Sequence, residues 1–267
     1  MKKLFNWGIL AMVVGSLLFV GCKKNKEEPD ADLVSAEDQS QGEMVYDQVF
    51  KQVDIAANDQ GLKKGGYPII MIDTNSSPRN MVIDYGSVNY LCADGNYRRG
   101  IIMVSWTGKY REQNTVISIS FNNFYQNNNR VEGVKNVTNM GRNENGKLKF
   151  SIVVSGKITN TDGQTHQWNS NRTRIWLEGE GTLLVSDDIY EISGNTSGVN
   201  RNGLSYTAII TSNLLVDLGC EYRITKGIIE LTPAGKAKRT IDFGSGNCDK
   251  LINLTINGKT YTIERRK

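Results

Sequence analysis

Leu148-Lys149-Phe150-Ser151-Ile152-Val153-Val154 is the stretch that decides the fold. In an extended chain successive side chains point to opposite faces. Leu148, Phe150, Ile152 and Val154 therefore share one side, with Lys149, Ser151 and Val153 on the other. This is the pattern of a strand with one buried face. The same period of two recurs outward in both directions. Ile117, Ile119 and Phe121 alternate with Val116, Ser118 and Ser120, and Ile252, Leu254 and Ile256 alternate with Leu251, Asn253 and Thr255, before Tyr261 and Ile263 close the series.

The turn chemistry agrees. Asp94-Gly95, Asn145-Gly146, Asp162-Gly163, Asn202-Gly203 and Asn257-Gly258 lie between alternating runs. Such dipeptides tolerate the positive φ that both central residues of a type I′ hairpin turn require. Of the four prolines, three precede residue 80, so few later strands lack a ladder donor. The expectation is an all-β body: an antiparallel meander of about a dozen strands, curled into a sandwich, barrel or half-barrel. One helix is predicted ahead of it, over 40–58. Val45, Val49, Phe50, Val53, Ala56 and Ala57 recur there at spacings of three and four, and Gly61, Gly65 and Gly66 end the pattern. That helix packs against the sheet or caps its open edge.

Two stretches repeat the order strand, Asp, aromatic, Gly, Cys-containing turn, strand. They begin at Ile83-Asp84-Tyr85-Gly86-Ser87 and at Ile241-Asp242-Phe243-Gly244-Ser245. Gly lets the chain leave the sheet with positive φ, and the Asp carboxylates accept turn amides. The repeat reads as an internal duplication rather than as two active centres.

Candidate chemistry is sparse. His166 is the single histidine, no Gly-x-Ser-x-Gly elbow occurs, and close His/Cys spacing for zinc is missing. Asn160-Thr161-Asp162-Gly163 lacks the acidic residues of a calcium loop, since Ile158 and Asn169 stand at those positions. No cofactor is expected. Carboxylates such as Glu178, Glu180, Asp187 and Asp188 leave open a glycan hydrolase, which needs two of them about 5 to 10 Å apart. The most binding-like segment runs from Trp168 to Leu177. Alternation puts Trp168, Ser170, Arg172, Arg174 and Trp176 on one side, where Trp can stack on sugar rings and Arg can fork onto carboxylates. The alternative is a ladder of long side chains covering the outer sheet face. A third reading is a lipid or lipoprotein carrier whose concave sheet face is a hollow lined by Ile117, Phe121, Phe150 and Ile152.

The N-terminus carries an address. Lys2 and Lys3 precede an apolar run, Leu4 to Val20, that ends in Leu18-Phe19-Val20-Gly21-Cys22. A small residue directly before Cys resembles a bacterial lipobox, which implies a signal peptide over 1–21 and an acylated Cys22. The alternative is an uncleaved anchor of ~18 apolar residues, just enough to span a bilayer. Residues 23–40 are too polar to fold and read as a flexible tether, leaving 41–267 as a single domain. Loss of Lys2 and Lys3 lowers the formal net charge from +4 to +2, and no basic run is interleaved with aromatics. Nucleic acid is therefore excluded as a partner. With Cys22 acylated, Cys92, Cys220 and Cys248 remain. Cys220–Cys248 is the favoured bridge, Cys92–Cys248 the alternative suggested by the repeat.

Further segments carry a family likeness: Arg98-Arg99-Gly100-Ile101-Ile102, Val131-Glu132-Gly133 through Val137-Thr138-Asn139, and Asp242 to Asp249. Together with the lipobox, the tether, the helix and the repeated I-D-[FY]-G turns, they resemble a family of Bacteroidota lipoproteins over nearly the whole mature chain. Lys26-Glu27-Glu28 is similar to the tag that sends such lipoproteins to the outer face of the outer membrane. The resemblance implies an outer-membrane lipoprotein, surface-exposed or periplasm-facing, and carries no activity or site residues. The expected function is a non-enzymatic binding or scaffold module, with a glycan or an envelope protein as partner.

Overall fold

The computed structural model describes residue 30 and residues 33–58, 67–182 and 184–265. The signal peptide, Cys22 and half of the expected tether lie outside the described residues. The order of elements is α1 (Val34–Asn58), β1 (Ile69–Asp73), β2 (Arg79–Asp84), β3 (Tyr90–Leu91), β4 (Tyr97–Trp106), β5 (Val116–Gln126), β6 (Asn129–Arg142) and β7 (Leu148–Thr159). There follow β8 (Thr165–Glu178), β9 (Ile189–Val199), β10 (Ser205–Asp217), β11 (Ile224–Pro233), β12 (Arg239–Ser245), β13 (Leu251–Ile256) and β14 (Lys259–Glu264).

All fourteen strands belong to one antiparallel meander, which runs in chain order from β1 to β14 with only β3 to the side of β4. The sheet does not close: β1 and β14 do not pair, so no barrel forms. One face is left to be covered, and α1 covers it. The helix has 25 residues, about 37 Å at 1.5 Å per residue. Seven strand spacings, from β4 to β11, come to about 34 Å. Contacts follow that path in order. Ser35 meets Asn200 after β9, Gln39 meets Trp168 on β8, Tyr46 reaches Glu132 on β6, and Gln52 reaches Tyr85 beside β2.

The core therefore lies between one helix and one sheet. Val45, Tyr46, Val49, Phe50, Val53 and Ala56 from α1 pack with Ile83, Ile102, Ile119, Phe124, Val137, Phe150 and Val154. A second cluster under the start of the helix joins Ala36 to Tyr206, Ile229, Leu231, Ile241 and Leu254. The helix starts at Val34, six residues before the position predicted from apolar spacing. Ser35, Asp38 and Gln39 are buried though polar, so their periodicity is invisible to a hydrophobic pattern. They are held by hydrogen bonds: the Asn200 amide donates to Ser35 Oγ at 2.9 Å and the Arg201 backbone N–H to Asp38 at 2.7 Å. The segment up to residue 40 is thus packed at its C-terminal end rather than part of a tether.

The five predicted turns fall between strands, but four are built differently from expectation. Only Asn257-Gly258 has positive φ at both residues, 51° and 76°. In the others only the Gly is positive, and the residue three earlier accepts its N–H, as Asn143, Asn160 and Asn200 do at 2.8–3.0 Å. This is a type I turn followed by a left-handed Gly, which asks for Gly alone. The two-residue loop Asn127-Asn128, with φ of 49° and 65°, joins β5 to β6 without any Gly.

Candidate functional site

The two faces of the sheet differ in chemistry, and β8 shows why. His166, Trp168, Ser170, Arg172, Arg174 and Trp176 alternate onto the inner face, and all are buried. Trp168 is 3% exposed, Arg172 6%, Arg174 5% and Trp176 5%, so none is available to a sugar ring. The predicted grouping on one side holds. The predicted exposure is overturned, because α1 lies on that side and supplies partners. Trp168 stacks on Tyr46 at 5.4 Å between centroids and donates Nε1–H to Gln39 at 3.0 Å. Arg172 pairs with Glu43, and its Nη2 also donates to Thr196 Oγ1 at 2.7 Å. The Arg174 guanidinium lies 5.0, 4.7 and 4.6 Å from the ring centres of Phe50, Phe150 and Tyr190, and donates to the Tyr110 hydroxyl. Trp176 donates to Asp188 at 3.1 Å.

This interface is polar at regular intervals because a basic sheet face meets an acidic helix. Lys135 lies 3.6 Å from Asp47, Arg201 2.7 Å from Asp38, and Arg239 2.6 Å from Asp30, just before the helix. Burial pushes the Glu43 carboxyl up, against the pull of Arg172, and pushes the Lys135 ammonium down. His166 begins this inner-face series on β8. It is fully buried with Nε2 3.0 Å from Gln41 Oε1, and burial, helped by the Arg201 charge, lowers its pKa to about 4.

The remaining candidates hold the fold. Asp84 and Asp242 each accept the amide of the Gly two residues on, at 2.7 and 2.8 Å, and both glycines have positive φ. Asp188 accepts from Trp176 and, at 2.8 Å, from the Tyr190 hydroxyl, while burial raises its pKa. Glu180 pairs with Arg142 and Asp187 with Thr182. Cys220 and Cys248 form the favoured disulfide, which rules out Cys92–Cys248; Cys92 is free and buried. The inner face is filled by the core: Phe150 and Ile152 are buried, and Ile117 and Phe121 pack against the same cluster, so the hollow that a carrier needs is taken up by α1.

The outer face is the surface that sequence reasoning passed over. Strand register lines its side chains up in rows across β5 to β10. One row is Ser118, Asn136, Val153, Asn171, Asn195 and Ile209. The next is Ser120, Val134, Ser155, Asn169, Ser197 and Thr207. A third is Val116, Thr138, Ser151, Thr173 and Ser193. Thirteen of these seventeen side chains are hydroxyls or amides and none is ionisable, in a chain with 22% charged residues. At about 4.8 Å between strands and 6.7 Å between alternate residues, the array measures roughly 24 by 13 Å. Charge returns at its borders, with Lys157 2.9 Å from Glu132 on one side and Lys149 and Glu191 on the other. The signal was present in the sequence as the polar half of each alternating run. Its continuity depends on register, which alternation alone does not set.

Two surface hollows, about 280 and 410 Å³, open at strand ends. The first is lined by a single carboxylate, Asp84, and the second by a single carboxylate, Glu144, so neither holds the pair that glycoside hydrolysis uses. Among the described residues no group of three His, Cys, Asp or Glu could share a metal ion, and no helix is long and apolar enough to cross a membrane. No family model, curated protein or solved structure matches the chain.

Proposed function

We propose that this chain is a lipid-anchored outer-membrane protein, acylated at Cys22, that binds neutral polysaccharide without catalysis through the outer face of β5–β10. The observation that carries the reading is the charge-free array of hydroxyls and amides. Ser, Thr and Asn each both donate and accept hydrogen bonds. A repetitive partner that does the same and bears no charge is a neutral, polyhydroxylated polymer. A phosphate-rich or anionic surface would be met by Lys and Arg, and an apolar one by a continuous apolar patch. Here Val116, Val134, Val153 and Ile209 stand singly among polar neighbours, suited to the C–H faces of sugars. The helix that fills the inner face leaves the outer face as the broad surface on offer.

Membrane attachment is read from fractionation. Cys22→Ala is expected to move the protein from the membrane pellet to the soluble fraction, and an unchanged pellet would count against acylation. Binding is read by co-sedimentation of the purified protein with insoluble neutral glucan, chitin and an acidic polysaccharide. Retention on one or both neutral polymers, little changed by 0.5 M salt, is expected. Retention on the acidic polymer alone, or on none, would sink the glycan reading.

A further inference from the structure

The two edges of the open sheet are unequal. At one end β14 carries Lys259 and Glu264, Lys250 lies 2.7 Å from Glu264, and Arg265 Nη1 donates to the carbonyls of Tyr222 and Ile224 at 3.0 and 2.6 Å. Charges and an anchored terminus of this kind are how natural sheets protect an edge. At the other end β1 reads Ile69-Ile70-Met71-Ile72-Asp73, with no proline, lysine or bulge. It pairs with β2 on one side, and among the described residues no strand or turn pairs with the other. Ile69 is 52% exposed, Met71 53% and Ile72 39%.

We infer that β1 is the pairing edge of a two-fold dimer, joined antiparallel to β1 of a second copy with Met71 on the axis. The side chains select this occupant. Apart from Asp73 at its end, β1 is apolar on both faces: Met71 continues an outer row through Val82 and Met103, and Ile70 an inner row through Ile83 and Ile102. An added strand must be apolar on both faces too, and β1 itself meets that condition. Pairing about Met71 sets Ile70 against Ile72 of the second copy, so both rows run on across the junction. Asp73 faces Ile69 of the second copy, which brings no like charges together. A two-fold axis through an antiparallel pair and normal to the sheet keeps the inner faces on one side. Both helices, and the segments leading into them beside β12, then lie on that same side. Two anchors can thus enter one bilayer. Tethering to a membrane raises the effective concentration that so short a pairing needs.

The test is a pair of cysteine variants in the full chain, expressed in cells and mildly oxidised. Residues directly opposite in an antiparallel pair have Cα atoms about 4.5–5.5 Å apart, inside the range a disulfide bridges. Met71→Cys is expected to give a disulfide-linked dimer on a non-reducing gel, and Thr262→Cys on β14 to stay monomeric. Ile72→Lys, added to Met71→Cys, should reduce the dimer at least tenfold, with near-UV circular dichroism confirming the fold. Monomeric Met71→Cys, equal linking at Thr262→Cys, or linking that survives Ile72→Lys would each overturn the inference. None of these outcomes bears on glycan binding, which uses β5–β10.

Discussion

His166 and Asp54 pull the acid stability of this protein in opposite directions. His166 has its pKa lowered to about 4 by burial, so the unfolded chain takes the proton first. It costs stability as pH falls from about 6.5 to 4. Asp54 is raised to about 6, by burial first, with Arg174 opposing and Asp188 adding to the rise. The folded state holds that proton more tightly, so stability falls as pH rises from about 4 to 6. Relative to the parent, His166→Gln is expected to gain about 3 kcal/mol between pH 7 and pH 4, and Asp54→Asn to lose a similar amount over the same range. Urea unfolding at a series of pH values reads both, and parallel curves would show that neither group is perturbed. The buried Arg172–Glu43 pair gives a second expectation. Glu43→Ala should cost about 3–5 kcal/mol by leaving a guanidinium uncompensated. Adding Arg172→Met should cost less than the sum of the two single changes. Strict additivity in that cycle would remove the pair from the account. Alternation grouped these β8 side chains correctly, but charge suggested that they face water. The reversal comes from residues more than 120 positions away, Gln39, Gln41 and Glu43, and no local pattern reports such partners.

Helix α1 is the element on which the fold turns, and at Gly42 it lies directly against the Trp168 ring of the sheet. A Cβ at Gly42 would lie 2.6 Å from Trp168 Cγ and 2.8 Å from Cδ1. Ala is ordinarily better than Gly in a helix by about 1 kcal/mol. Here Gly42→Ala is expected instead to destabilise by about 1–3 kcal/mol, the usual cost of overpacking, with a change in Trp emission as the ring shifts. A stabilised variant would mean that α1 does not seat on Trp168. The disulfide closes a separation of 28 residues near the far end of the sheet. Changing Cys220 and Cys248 together to Ala should cost about 3–4 kcal/mol, while Cys92→Ala leaves the linkage intact. The strands and most turns were legible because β8 and its neighbours keep strict alternation over ten residues or more. The first turn of α1 was not, because Ser35, Asp38 and Gln39 are buried by hydrogen bonding rather than by apolarity.

At the scale of the molecule, an open sheet with one filled face has an outer face and the β1 edge left for other molecules. How the sheet ends was beyond periodicity, since a barrel and an open curl share the same alternation; the difference lies in whether β1 meets β14. The outer array escaped notice for a related reason, because rows across strands appear only once Ser155 is known to face Asn169, and Asn169 to face Ser197. The measurement that tests the account most directly is co-sedimentation with particulate neutral glucan or chitin of the parent, an Asn171→Glu/Ser197→Glu variant and Trp168→Phe. The account predicts equal binding by the parent and Trp168→Phe, and at least tenfold weaker binding by the outer-face variant. Undiminished binding by the outer-face variant, or a loss confined to a folded Trp168→Phe, would contradict it.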